Sequence, residues 1–240
     1  MIEGLIESFT KTFITEDRWL SLLRGLGTTL TITFFALILG LFLGFLIAVV
    51  RSTYDMNYKG RKKTGFKAVT VKILNALCNI YITVIRGTPM VVQLMIMYFI
   101  VFSSSRNGLI AAILSFGINS GAYVAEIVRS GIMSIDKGQF EASRSLGFNY
   151  NSTMIHIILP QAFKNVLPAL GNEFIVLLKE TSVAGYVAVQ DLTYIANLIR
   201  SRTYEAFFPL IATALIYLVL VLIISFFLKK LERRLRNSDH

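Results

Sequence analysis

Cysteine, histidine, proline and acid are all scarce in this chain of 240 residues. It has one Cys, two His, four Pro, and 14 Asp plus Glu against 24 Lys plus Arg. The lone Cys78 excludes an internal disulfide framework and a thiolate metal cage. His156 and His240 lie too far apart in sequence to offer metal-ligand spacing, so no metal site is expected. No Gly-rich phosphate loop of the Walker type occurs, and no Ser/His/Asp set suggests a nucleophile. No catalytic residue is therefore expected, and nucleotide hydrolysis is not expected from this chain. Charged residues make up only 16% of the whole, where soluble domains carry about a quarter. The first twenty residues include Glu3, Glu7, Lys11, Glu16, Asp17 and Arg18 and have no apolar stretch of signal-peptide type. Entry into a membrane is thus expected from internal spans.

Apolar residues, in contrast, are plentiful: 55% of the chain, with 18 Phe, and a mean hydropathy of +0.64. Leu26 to Val50 carries no charge and is long enough to cross ~30 Å of hydrocarbon. Arg51 to Lys67 holds six cations and one acid, Asp55, which assigns it to the cytoplasmic side. In Val69 to Phe102, Arg86-Gly87-Thr88-Pro89 marks a break. Thr88 suits an N-cap and Pro89 a first helical position, which predicts an amphipathic or elbow helix over 69–85 and a crossing helix over 89–102, either separate from the first or continuous with it through a kink. Leu109 to Met133 returns inward, Phe163 to Val189 goes out, and Phe207 to Leu228 ends in Lys229, Lys230, Arg233, Arg234 and Arg236. The fold class is all-α, a polytopic membrane protein with five transmembrane helices, N-terminus outside and C-terminus inside. Its expected parts are an interfacial segment 1–24, a transmembrane domain 25–228 with a cytoplasmic loop 134–164, and a basic tail 229–240. Basic residues at the ends of apolar runs orient a membrane protein, so the net charge of +10 is no nucleic-acid footprint.

The loop 134–164 has a patterned centre: Glu141-Ala142-Ser143, three residues, Gly147, nine residues, Ile157, one residue, Leu159-Pro160. This resembles the EAA loop of bacterial ABC importer permeases, matching six of its seven specified positions, with Ser143 in place of alanine. At average residue usage the chance of such a match is below about 10⁻³. The residues also make sense mechanically. Gln139 to Leu146 can form a short helix that Gly147 ends in the left-handed conformation, and Asn151 or Ser152 can cap a second turn running to Ile158, with Pro160 interrupting. Arg86 to Pro89 with Gln93, Ala122 to Arg129, and Asn172 with Lys179 to Ser182 are similar to the polar amino acid subfamily, of histidine, glutamine and arginine type.

That resemblance, over roughly residues 19 to 230, implies a type I ABC importer permease fold in the bacterial cytoplasmic (inner) membrane. It implies that permeases work as pairs, with a second copy or a paralogue, bound to two ATPase subunits that hold the ATP and Mg, so that this chain needs no cofactor. It further implies an extracytoplasmic solute-binding protein and an amino acid substrate. The basic insert 57–70 is longer than usual for the family. Ionisable groups inside a span face a partner or a cavity. Asn172 or Glu173, the latter about nine residues or ~13 Å into its helix, either line the path or make a helix–helix hydrogen bond or an intersubunit ion pair. Asn119 and Ser120 either line a cavity or pack closely. Glu126 and Arg129, three apart on one face, and Lys179 with Glu180 read as gating or structural pairs.

Overall fold

The structure, a computed structural model, describes residues 2–60, 64–104 and 107–236. Arg61, Lys62 and Lys63 of the basic insert and residues 237–240 of the tail lie outside the described residues. All regular elements among the described residues are helical: α1 (Ile2–Phe9), α2 (Arg18–Asn57), α3 (Phe66–Gly87), α4 (Met90–Ile96), α5 (Gly108–Met133), α6 (Lys137–Ser145), α7 (Tyr150–Thr153), α8 (Leu159–Glu180), α9 (Leu192–Thr203) and α10 (Phe207–Arg236). π-helical turns extend α4 over Met97–Val101 and join α7 to α8 over Met154–Ile158. The chain divides into two compact units. Unit 1 is Met1–Leu37, Pro89–Phe116 and Phe174–Lys229; unit 2 is Ile38–Thr88, Gly117–Glu173 and Lys230–His240.

Among the described residues, four helices are long and apolar enough to cross a bilayer, α2, α3, α5 and α10, while Met90–Val101 is shorter. The expectation for 69–102 therefore needs correcting. The helix with the length to cross is α3, and the segment after Pro89 is the short one. Thr88 is not the cap of α4. Its hydroxyl donates back to Val84 O at 2.8 Å, and Pro89, in extended conformation, takes the N-cap position. The expected fourth crossing is α8, 22 residues long. It stands outside the apolar four because Lys164, Asn165, Asn172, Glu173 and Lys179 interrupt its hydrophobic residues.

Lipid tails are as apolar as leucine, so helices associate there through close packing and polar bonds, not through water release. The buried stripe of α2 shows the consequence. Leu22, Gly25, Thr29, Ile32, Ala36, Gly40, Gly44 and Ala48 recur every three or four residues, and most are small. At Gly44 an added Cβ would sit 2.5 Å from Val124 on α5, so the two helices touch backbone to side chain. In unit 1, Ile32, Ala36, Leu94, Ala112, Phe116 and Leu177 form one buried cluster, and Leu22, Leu192, Ile195, Ala196 and Ile199 a second around α9. In unit 2, Ala48, Val124, Val128, Ile132, Ile158, Ala162 and Val166 pack α2, α5, the turn before α8, and α8 together.

Candidate functional site

The patterned segment belongs to unit 2 and is ordered by caps at both ends of its first helix. Asp136 opens α6 by accepting from Gly138 N at 2.6 Å. Gly147 closes it with φ +87, a conformation that costs an L-residue about 1–2 kcal/mol. Gly147 N donates to Arg144 O and Phe148 N donates to Ser143 O, both at 3.0 Å. This pair of bonds is the Schellman closure of a helix C-terminus. Asn149, two residues earlier than expected, then caps α7 by accepting from Ser152 N at 2.9 Å. Asn151 and Ser152 lie inside the turn they were expected to open. Pro160 does not interrupt the chain either. It follows the π-helical turn Met154–Ile158 that joins α7 to α8, and the wider register there carries the helix past a residue with no N–H to donate.

This helix–turn–helix has two faces. Glu141, Ala142, Gly147 and Pro160 are exposed. Ser143 is 2% exposed, and its hydroxyl donates to Gln139 O within its own helix, so serine fits where the family pattern has alanine. Phe140, Met154, Ile157 and Leu159 pack against the buried cluster that contains Ile158. Asn165 Nδ2 donates to Ser134 Oγ at 3.1 Å, and Ser134 Oγ donates to Gly131 O at 2.8 Å, which ties the end of α5 to α8.

Deeper in unit 2, Ser120 on α5 donates to Glu173 on α8 at 2.8 Å. Ser120, Asn119 and Glu173 are all buried, whereas Asn172 is exposed on the single chain. Glu173 lies fourteen residues past Leu159, roughly 21 Å along the helix. That is deeper than the ~13 Å expected when the helix was started at Phe163. The structure thus contains the helix–helix bond named as one alternative for Glu173. Glu126 and Arg129 meet at 3.1 Å. In unit 1, Lys179 is exposed and Glu180 half-buried at the end of α8, and no ion pair joins them among the described residues.

Several polar contacts escaped the sequence reading. Arg51, assigned to the basic loop, is the penultimate turn of α2, and its Nη1 donates to Glu126 Oε1. Arg129 Nη1 donates to Asp55 Oδ2 at 3.1 Å. Their signal was the spacing of Arg51, Asp55 and Lys59, four apart, which continues the helix beyond its apolar run. Tyr81 donates to Ile118 O at 2.5 Å, and the Arg86 guanidinium lies 5.1 Å from the Tyr123 ring centre. In unit 1, Asp191 caps α9 by accepting from Tyr194 N at 2.9 Å and Thr193 N at 3.3 Å, and burial pushes its carboxyl up to about 6. Thr29 Oγ1 accepts from Leu192 N at 3.1 Å. No group of three His, Cys, Asp or Glu able to hold a metal ion occurs among the described residues.

Comparison with known proteins bears on what this arrangement serves. Residues 64–237 match the family described as binding-protein-dependent transport system inner membrane component. The chain is 37% identical over 238 residues to the putative glutamine transport system permease protein GlnP of Rickettsia typhi, covering 98% of this chain and 99% of that one. It is 38% identical over 221 residues to the arginine transport system permease protein ArtQ of Bacillus subtilis, covering 91% and 94%. A solved chain of an amino acid ABC transporter with histidines matches it at 40% identity and a TM-score of 0.80, over 92% of this chain and 98% of that chain.

Proposed function

We propose, from the premise that this chain belongs to the family of binding-protein-dependent transport system inner membrane components, that it moves a polar amino acid into the cytoplasm by alternating access. The observation that carries this reading is the double-capped helix–turn–helix of residues 137–158. One face presents Glu141 and Ala142 to solvent, and the other is seated on the buried cluster of unit 2 through Phe140, Met154 and Ile157. A lever needs both: a free face for a partner and a fixed face that passes the load inward. The partner is a pair of separate ATPase subunits, which bind ATP and Mg and close on each other in the ATP state. Closure displaces the 141–160 segment and favours the outward-open arrangement, and hydrolysis resets it.

The chain crosses the inner membrane five times, with α8 as the crossing whose polar residues face protein and path instead of lipid. Its N-terminus is outside and its C-terminus inside. A solute-binding protein outside delivers the amino acid, and a second permease, a copy or a paralogue, completes the path. Ser120 and Glu173 stand at the buried centre of this chain's share of that path, with Asn119 beside them and Asn172 on the face left for the second permease. The test is reconstitution in proteoliposomes with the ATPase and binding protein, scoring uptake of labelled polar amino acids. ATP-dependent uptake that Glu141→Lys or Gly147→Pro abolishes supports the reading. Uptake that proceeds without ATP, or that survives both substitutions, overturns it.

A further inference from the structure

The C-terminal turns of α2 and α5 are joined by charges alternating in sign. Arg51 donates to one carboxylate oxygen of Glu126, Arg129 donates to the other at 3.1 Å, and the second arm of Arg129 reaches Asp55 at 3.1 Å. Lys59, largely exposed, approaches Asp55 at 3.9 Å and ends the series. The four inner side chains are only 14–24% exposed. Their charges sum to zero, and each carboxylate serves at least one guanidinium, so the set can sit away from water without a stranded charge.

Position gives this set its meaning. Arg51 and Asp55 lie four apart on α2, and Glu126 and Arg129 three apart on α5, so two helix faces meet along a full turn. The end of α5 is also tied to α8 through Ser134 and Asn165. Eight residues after Arg129 the chain enters α6, the first arm of the 137–158 segment. Any displacement of that segment must be borne by the last turns of α5. A loose joint there would dissipate the motion, whereas a joint clamped on both sides carries it into the helices.

We propose that Arg51, Asp55, Glu126 and Arg129 form a clamp that makes the ends of α2 and α5 one body, and that this clamp sets how much transport each ATP turnover yields. The four are positioning residues. They touch neither nucleotide nor substrate, and they act through the stiffness of the joint behind the 137–158 segment. This rests on the reading of that segment as the ATPase contact. It adds a prediction that the reading alone does not make: hydrolysis and transport become separable.

The experiment uses the complete complex in proteoliposomes, reading amino acid uptake and ATP hydrolysis in the same sample. Arg51→Gln and Glu126→Gln are expected to keep binding-protein-stimulated hydrolysis within about twofold of wild type. Uptake per ATP is expected to fall at least about tenfold, a loss equivalent to one decade of coupling. In a Cys78→Ser background, Arg51→Cys with Glu126→Cys joined by a short bismaleimide should recover uptake per ATP, while the unlinked pair should not. Gln variants that keep the wild-type uptake per ATP overturn the clamp. A crosslinked pair that stays uncoupled overturns it too, and that arm decides the matter if the Gln variants fail to assemble. A wild-type complex that hydrolyses ATP but moves no amino acid overturns the proposed function instead, a result seen before any variant is made.

Discussion

The two compact units join their helices with different chemistry. Unit 2 relies on paired charges: Arg51, Asp55, Glu126 and Arg129 between α2 and α5. Unit 1 relies on hydroxyls and a cap: Thr29 accepting from Leu192 N, Thr193 against Tyr217 at 3.3 Å, Ser8 donating to Glu205 at 3.0 Å, and Asp191 at the head of α9. A single hydroxyl or cap bond gives up little when broken and re-formed. Paired charges in a low dielectric do not, because removing one member strands the other. Unit 2 is therefore the part whose joints are hard to loosen, and it is the part that carries the 137–158 segment.

The strongest way to break this comparison is steric and blind to charge. Gly44→Val in unit 2 forces a side chain into Val124, where even a Cβ would meet it at 2.5 Å. It should cost about 3 kcal/mol, at the upper end for overpacking, read as a fall in thermal midpoint in detergent. If it is tolerated, unit 2 is held by charge alone. Next in size, Arg129→Met leaves Glu126 and Asp55 each short of a cation and should cost about 2 kcal/mol, less than a fully buried pair because the site is partly wet. A cost close to zero would erase the contrast with unit 1.

Smaller effects sharpen the picture in unit 1. Asp191→Ala removes the α9 cap and should cost about 1 kcal/mol at pH 5. Its pH dependence has a definite sign. The folded carboxyl titrates at about 6, above its ordinary 3.8, because burial disfavours the charge. The folded state therefore holds the extra proton between those two values. The associated stability is fully present below pH 3.8 and is lost as pH rises through about 6. Asp191→Asn should flatten this slope in thermal melts taken from pH 4 to 7, and an unchanged slope would assign it to another group. Last, Tyr217→Phe gives up one long hydrogen bond to Thr193 and should cost about 0.5 kcal/mol.

Legibility from sequence followed the range of the interaction. The apolar run Leu26 to Val50 lies wholly within α2, and Leu109 to Met133 gives α5 to within one residue, because uninterrupted apolar length is a local property. Gly147 announced its turn for the same reason: few conformations need a glycine so strictly. Pro160 and Thr88 misled because each has two local uses, and packing chose between them. Proline can stop a helix or be carried through it by a π-helical turn, and threonine can cap the next helix or bond back to the last. Arg51 and Asp55 looked like loop charges since their partners are 75 and 74 positions away in sequence, respectively. No local pattern carries such a pairing. Glu126 and Arg129, three apart, were legible as a pair, but the larger set they belong to was not.

The small-residue face of α2 has a consequence for register. A ridge of glycine, alanine and threonine lets neighbouring backbones come close, and its glycines are holes for particular side chains of α5, Gly40 for Ser120 and Gly44 for Val124, so sliding the helix would lose the fit. Discrete polar pins reinforce that setting: Thr29 holding Leu192 N in unit 1, and Arg51 and Asp55 holding α5 in unit 2. α2 is thus a notched rail, with glycine holes and polar atoms as its stops. A substitution that removes a stop changes where the helix rests before it changes whether the helix folds.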